Sequence, residues 1–322
     1  MKNYLGKLHR RSYKLQYYLS RSYLNFLPYK IIQRNMADVL SEYRSLPESV
    51  QQSIASRVGY YNQLTDKHYI SGDLGFVGSF KNNRASAYFY DLAHYLRYFP
   101  EKTPFAYIFG DVTHIPSQPS LVKSRPIADN NQNSVLLKLD SVRHFYTVAD
   151  PFCFADKNDL MVWRGAAHQN HRLKFLHEFY AHPLCNVKCV YQKSANQPYH
   201  GKFMSIKEQL RYKFVLSIEG NDVATNTKWI MASQSLCVMT TPKFETWFME
   251  GLLQPDVHFV HVEDDYANLD EKLSFYLKHP AAAEKIINNA NQWVSQFFNK
   301  KQELITAVLV LQKYFEHTQK IV

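Results

Sequence analysis

The change of rhythm at residue 105 restricts the fold of this chain more than any other feature. From there on, apolar runs of strand length alternate with segments of helical character. Phe105-Ala-Tyr-Ile-Phe is stopped by Gly110-Asp111. Ser134-Val-Leu-Leu-Lys-Leu and Leu160-Met-Val-Trp follow, with Phe145-Tyr-Thr-Val as a further candidate. Arg172 to His182 reads as a helix, Val187 to Tyr191 as a strand and Ser205 to Arg211 as a short helix. Next come the strands Tyr212-Lys-Phe-Val-Leu-Ser-Ile, Ser235-Leu-Cys-Val-Met and His258-Phe-Val-His-Val. Helices are expected from Thr227, over Thr246 to Met249 and over Leu269 to Leu277. Continuous apolar runs suit strands covered on both faces, and parallel neighbours need crossover helices. The pattern predicts an α/β protein with parallel sheets.

Two such stretches meet near residues 155–165, which predicts two Rossmann-like lobes with a cleft between them, a usual place for a ligand. The expected boundaries are 1–160, 161–300 and a closing helix over 301–322. Residues 35–100 read as mostly helical, with polar loops at 62–67 and 81–84. Near the end, Ile286, Ala290, Trp293, Val294 and Phe297 share one helical face, and Leu304, Val308, Leu311 and Phe315 share another.

Composition narrows the class of function. Apolar residues make up 46% and charged residues 20%, the balance of a globular chain with a sizeable core. No apolar run approaches the roughly 18–20 residues that cross a bilayer. The start lacks the apolar stretch and cleavage site of a secretory signal, so a cytoplasmic location is expected. Four cysteines in 322 residues do not make a disulfide framework. The net charge of +10 biases partners toward anions without choosing among nucleic acid, membrane, phosphorylated glycolipid and nucleotide. The first acidic residue is Asp38; before it, basic residues alternate with Tyr, Leu, Phe and Ile in a helix or helix pair ending near Pro28. That segment reads either as an adhesive face for an anionic membrane or as a helix packed on the body with a solvated basic side.

Two segments carry chemistry. Glu219-Gly-Asn-Asp-Val-Ala-Thr-Asn-Thr-Lys228 follows a strand and precedes a helix. Thr225, Asn226 and Thr227 are good N-cap types, and backbone N–H groups at a helix start bind phosphate. Lys228 adds a cation where the helix dipole disfavours one, which an anion nearby would explain. Trp163-Arg-Gly-Ala-Ala-His-Gln-Asn-His-Arg172 leaves a strand with Arg164 and Gly165 and enters a helix with Arg172. Two guanidinium forks there can grip a diphosphate bidentately. Each segment alone also reads as an ordinary capped loop or a surface ion pair.

Their order with further pieces is more specific. Trp163-Arg-Gly with Arg172 precedes Tyr212-Lys-Phe and Glu219-Gly-Asn; Asn226-Thr-Lys-Trp229, Ser235-Leu and Glu245-x-Trp-Phe come next; Leu253-Gln-Pro-x-x-His-Phe-Val and Asp265-x-x-x-Leu269 follow. Over roughly residues 105–300 this series resembles glycosyltransferase family 90, and most of all its bacterial lipopolysaccharide branch. The resemblance implies a GT-B fold, with 1–160 as the acceptor-side lobe carrying a basic helical extension and 161–300 as the nucleotide-sugar-binding lobe. It implies inverting transfer from a UDP-sugar to a lipopolysaccharide, lipooligosaccharide or related surface glycan. The UDP-sugar serves as co-substrate; no other cofactor and no metal are implied. Arg172 would contact the donor diphosphate, and Gly220 through Lys228 would offer backbone amides to it. Arg164, Gly165, Thr225, Asn226 and Thr227 complete the expected donor set; Glu245, three residues after Pro242, reads either as a partner of donor ribose hydroxyls or as a first-turn helix acid that needs no ligand. The chain departs from eukaryotic members near Asn226, where they carry Arg, and at Ala166, where they often carry Ser.

Inverting displacement needs a base for the acceptor proton. The position used by eukaryotic relatives falls near Asn133-Ser134, where no carboxylate stands. Asp111, at a strand exit, is the first choice and reads equally as a turn residue capping its own loop; Asp129, Asp140 and His114 remain open. Lys123 and Arg125 add two cations in the same lobe, for an acidic acceptor or the donor phosphates or simply on a solvated loop. Residues 1–34 are expected to meet an anionic inner-membrane surface, and no nucleic acid is expected. The rival readings are a basic membrane- or nucleic-acid-binding protein and a glycan phosphotransferase. His177, His182, Cys185 and Cys189 invite a zinc site at looser spacing than usual, and Glu263-Asp-Asp265 imitates a metal pair.

Overall fold

The structure is a computed structural model describing residues 2–82 and 86–320, and the side chains of residues 10–82 and 87–320 among them. The loop expected at 81–84 therefore lies partly outside the described residues, as do the side chains of Lys2 and Lys7. The chain forms two compact units and passes between them more than once. One consists of Met1–Ser12, His144–Lys243 and Glu250–Gln296; the other of Tyr13–Arg143, Phe244–Met249 and Phe297–Val322. This differs from contiguous boundaries at 160 and 300. Phe154, 3% exposed, belongs to the apolar core of the first unit, and Lys157 binds Asp150 there at 2.7 Å, so the first unit begins before its first strand.

The first unit is built on a five-stranded sheet in which every neighbouring pair is parallel. In spatial order the strands are Cys185–Cys189, Asn158–Gly165, Tyr212–Leu216, Leu236–Met239 and Val260–His261. Numbered along the chain, that is the doubly wound order 2-1-3-4-5. Met161, Val162 and Trp163 are buried together, as are Phe214, Val215 and Leu216, because helices cover both faces. Phe175 and Leu176 of the helix Asn170–Phe179 join the same core.

The second unit holds a smaller parallel sheet of Tyr107–Ile108, Ser120–Val122 and Ser134–Leu136. Around it lie the helices Met36–Arg44, Glu48–Tyr61, Ser86–Leu96 and Lys300–His317. The helix expected over Thr246 to Met249 is absent. Phe244–Thr246 is instead a strand antiparallel to Ser124–Pro126, with Glu245 directly opposite Arg125. Four residues carry too little periodicity to tell a turn of helix from a short strand, and the cross-strand ion pair decides. Phe145-Tyr-Thr-Val is not a strand either. Among the described residues no helix is long and apolar enough to cross a membrane.

A buried ionic cluster joins three parts of this unit. Glu303, 5% exposed, accepts from Arg57 Nη2 at 2.6 Å, Lys138 Nζ at 2.6 Å and Trp247 Nε1 at 2.8 Å. Burial pulls the Lys138 pKa down while Glu303 opposes it. Glu303→Gln keeps the shape but leaves two buried cations short of an anion, at a cost of about 3–5 kcal/mol. A urea titration followed by tryptophan fluorescence is expected to show that loss as a lower midpoint with an unchanged slope.

Candidate functional site

In a sheet of order 2-1-3-4-5, ligands bind in the crevice at the carboxyl ends of strands 1 and 3, where the winding reverses. Those ends are the exits of Asn158–Gly165 and Tyr212–Leu216, and both sequence motifs fall on them. Arg172 ties the two exits together. Its Nη1 donates to the Ala166 carbonyl at 2.9 Å, its Nε to Glu219 at 2.8 Å and its Nη2 to Ile218 at 2.7 Å. The planar fork suits this task because its N–H directions are fixed. Beside it, His171 Nε2 meets the Glu219 carbonyl at 2.8 Å, and the Gln169 amide donates to Asn221 Oδ1 at 3.1 Å. The Glu219 carboxylate accepts from the Lys243 backbone at 3.0 Å.

The helix Asn170–Phe179 opens at this crevice. It has 10 residues, and its N-cap, Gln169, provides no side-chain cap. A helix start after strand 1 is where doubly wound folds place a phosphate. The helix expected from Thr227 has only 5 residues, Thr227–Met231, so its dipole is small. Within Gly220 to Lys228, Gly220, Thr225 and Asn226 are half-buried, whereas Thr227 is 3% exposed and Lys228 1%. Asn226 does not cap the helix with its side chain; its amide donates to the Leu216 carbonyl at 2.9 Å. Thr227 Oγ1 lies 2.8 Å from Ser217 Oγ and donates to Ala224 at 2.9 Å. The Lys228 ammonium is bound to Glu250, itself 2% exposed. Lys228 thus meets a carboxylate inside the protein, which accounts for a cation in the first turn without a ligand.

Arg164 and Arg172 work on different flanks of the first strand. Arg164 donates to the Asn186 carbonyl at 2.6 Å, to Asn186 Oδ1 at 2.8 Å and to the Lys202 carbonyl at 3.1 Å, on the side of strand 2. Burial lowers its pKa. Gly165 has a packing reason: a Cβ there would lie 2.4 Å from Trp163 Cζ2.

The remaining candidates belong to the second unit. Glu245 is 2% exposed, takes Arg125 Nε at 2.8 Å and accepts from the Tyr60 hydroxyl. Arg125 is fully buried and also donates to the Ser134 carbonyl at 3.0 Å. Asp111 is exposed just past the Tyr107–Ile108 strand, following Gly110 at φ 103°. Its Oδ1 accepts from Lys123 Nζ at 2.7 Å, and Lys123 is 2% exposed. Asp129 and His114 are exposed, and Asp140 is 6% exposed in the left-handed region at φ 52°. Burial, more than any neighbour, lifts the Asp140 carboxyl to about 6.

That shift has a stability consequence. The folded pKa of Asp140 exceeds its ordinary 3.8, so the fold holds the proton that the unfolded chain releases. Its contribution is most favourable below about pH 4 and is lost as pH rises through about 6. Asp140→Asn keeps a residue that tolerates positive φ. The variant is expected to be about 2 kcal/mol more stable at pH 7.5 and to lose that dependence, as checked by urea midpoints across the range.

The zinc candidates do not converge. Burial pushes the Cys185 thiol up to about 12, His182 faces Asp270 at 3.0 Å, and His177 packs edge-on against Tyr199. Among the described residues no group of three or more His, Cys, Asp or Glu is placed to hold a metal ion. Sequence reasoning missed Gln169, His171, Ser217 and Asn221 at the crevice. The available signal was position: Gln169 and His171 flank the start of the helix that follows strand 1.

The model for glycosyl transferase family 90 matches residues 137–320, which includes both strand exits. The chain is also 50% identical over 309 residues, 96% of its own length and 97% of the other, to an O-glucosyltransferase LpsA of Dichelobacter nodosus. The chain therefore belongs to glycosyl transferase family 90.

Proposed function

We propose that this protein transfers a sugar from a UDP-sugar donor to a hydroxyl of a lipopolysaccharide, lipooligosaccharide or related surface glycan, with inversion and without a metal. The observation that carries the reading is Arg172 spanning the exits of strands 1 and 3, beside the uncapped start of Asn170–Phe179. The similarity to an O-glucosyltransferase supports glucose as the first sugar to test. We read the whole as a GT-B enzyme, with the donor on the first unit and the acceptor on the second, acting at the cytoplasmic surface of the inner membrane.

In the proposed reaction an acceptor oxygen attacks C1 of the sugar as the bond to the UDP oxygen breaks. Asp111 takes the acceptor proton, and the electron pair of the broken bond leaves with UDP. Negative charge grows on the diphosphate, so Arg172 and the helix-start N–H groups act mainly on the transition state. Gly220, Thr225 and Asn226 line the same crevice. Lys228, Thr227 and Gly165 hold its walls by packing and ion pairing, Arg164 holds the strand 2 side, and Glu245 braces the second unit.

A donor panel tests this. With deacylated lipopolysaccharide as acceptor, UDP release is expected from one UDP-sugar, UDP-glucose first, together with incorporation of sugar rather than phosphate. Release from no donor would leave only a binding protein; phosphate incorporation would favour the phosphotransferase reading.

A further inference from the structure

Large exposed apolar side chains cluster near the start of the second unit. Between residues 15 and 31, Leu15 is 60% exposed, Leu19 64%, Phe26 76%, Leu27 44% and Ile31 64%. They stand on the helices Lys2–Arg21, Tyr23–Phe26 and Tyr29–Ile32 and the short links between them. Leu15 and Leu19 are one turn apart on the same helical face.

The other side of this segment is anchored. Tyr17 is 6% exposed and donates to Asp91 at 2.7 Å and to the Ala87 carbonyl at 3.0 Å. Arg97 Nη1 donates to the Tyr23 hydroxyl at 2.7 Å, and the Arg34 backbone donates to the Arg97 carbonyl at 2.8 Å. Leu24 and Ile32 pack in one cluster with Phe89, Tyr90 and Val142. The exposed side chains are therefore presented by a segment fixed to its own unit, with its apolar inner face already satisfied. The segment packs on the body and also carries exposed apolar side chains.

Charge decides what fits that outer face. Lys14, Lys30 and Arg34 are exposed among the apolar residues, and no acidic residue precedes Asp38. Arg21 is turned inward, 3.7 Å from the buried Asp91. A second copy of the chain would bring the same cations to face these. An anionic bilayer offers phosphates to the cations and hydrocarbon to the leucines and phenylalanine.

We propose that residues 14–34 form a membrane-docking face. On it Leu15, Leu19, Phe26, Leu27 and Ile31 enter the acyl boundary, and Lys14, Lys30 and Arg34 meet lipid phosphates. This deepens the proposed location at the inner membrane. Its evidence is separate from the donor chemistry.

The test is flotation of the full chain with vesicles of phosphatidylcholine alone or mixed with phosphatidylglycerol. Binding is expected to be at least about tenfold stronger to the anionic vesicles and to fall at high salt. Two double variants separate the contributions: Leu19→Ser with Phe26→Ser, and Lys14→Glu with Lys30→Glu. Each is expected to weaken flotation by about tenfold or more at unchanged melting temperature, because all four side chains are solvent-exposed. Turnover on a water-soluble deacylated glycan is expected to stay at the wild-type level in both, so a failed docking face and a failed transferase reading give different results. Wild-type protein that ignores anionic vesicles, or variants that float as well as wild type, would overturn the proposal. So would a dimer in sedimentation equilibrium that dissociates on Phe26→Ser while vesicles bind no protein, which would assign the face to a second copy.

Discussion

Arg172→Ala is expected to lower turnover by about 10²–10³-fold, read as UDP release at saturating donor, the size usual for removing one charged donor from a pre-organised anion site. The structure adds a second reason. Arg172 holds the Ala166 carbonyl on one side and the Ile218 and Glu219 carbonyls on the other, so alanine also frees both loops of the crevice. Arg172→Lys separates the two effects, since it keeps the charge and loses the fork. It is expected to recover no more than about tenfold of the lost turnover, because one ammonium cannot reach three carbonyls in fixed directions. The alanine variant should also lose about 1–3 kcal/mol of stability, as half-buried carbonyls lose their donor. Near-wild-type turnover in Arg172→Ala would remove the crevice from the candidate sites.

Asp111→Asn is expected to have the other large effect, a loss of about 10²–10⁴ in kcat, the usual contribution of a general base. Asparagine keeps the size of the side chain and can still accept from Lys123, but it cannot take a proton. The ion pair at 2.7 Å with Lys123 fixes where this carboxylate points. Asp140→Asn is the control, because Asp140 is buried and carries a raised pKa near the same sheet. If Asp111→Asn keeps its activity and Asp140→Asn loses it, the base is Asp140 and kcat should fall below about pH 6 in the wild type. If both keep their activity, His114 and Asp129 are next.

Much of the first unit was legible beforehand because its central strands are covered on both faces. Met161 to Trp163, Phe214 to Leu216 and Leu236 to Met239 had to be apolar without interruption, and that leaves a plain mark in the sequence. The three-residue strand Ser120–Val122 and the strand Phe244–Thr246 left none, since elements so short are set by their partners. The Arg-Gly and Glu-Gly-Asn motifs were likewise legible, because their residue types and their positions after strands both pointed to an anion.

Partner choice inside the protein was not legible. Lys228 and Glu245 looked like ligand contacts because a charged residue carries no sign of what it will face. Folding buried each against a distant opposite charge, Glu250 for the first and Arg125 for the second, since a buried charge without a counter-charge is too costly to keep. By itself the sequence determined the alternating α/β pattern, the basic start of the chain and the motifs at two strand exits. Only the tertiary structure decided that those exits are neighbours in a 2-1-3-4-5 sheet, and that one guanidinium, Arg172, spans them while Arg164 turns to the other flank. Strand order depends on long-range packing, and no local run of residues encodes it.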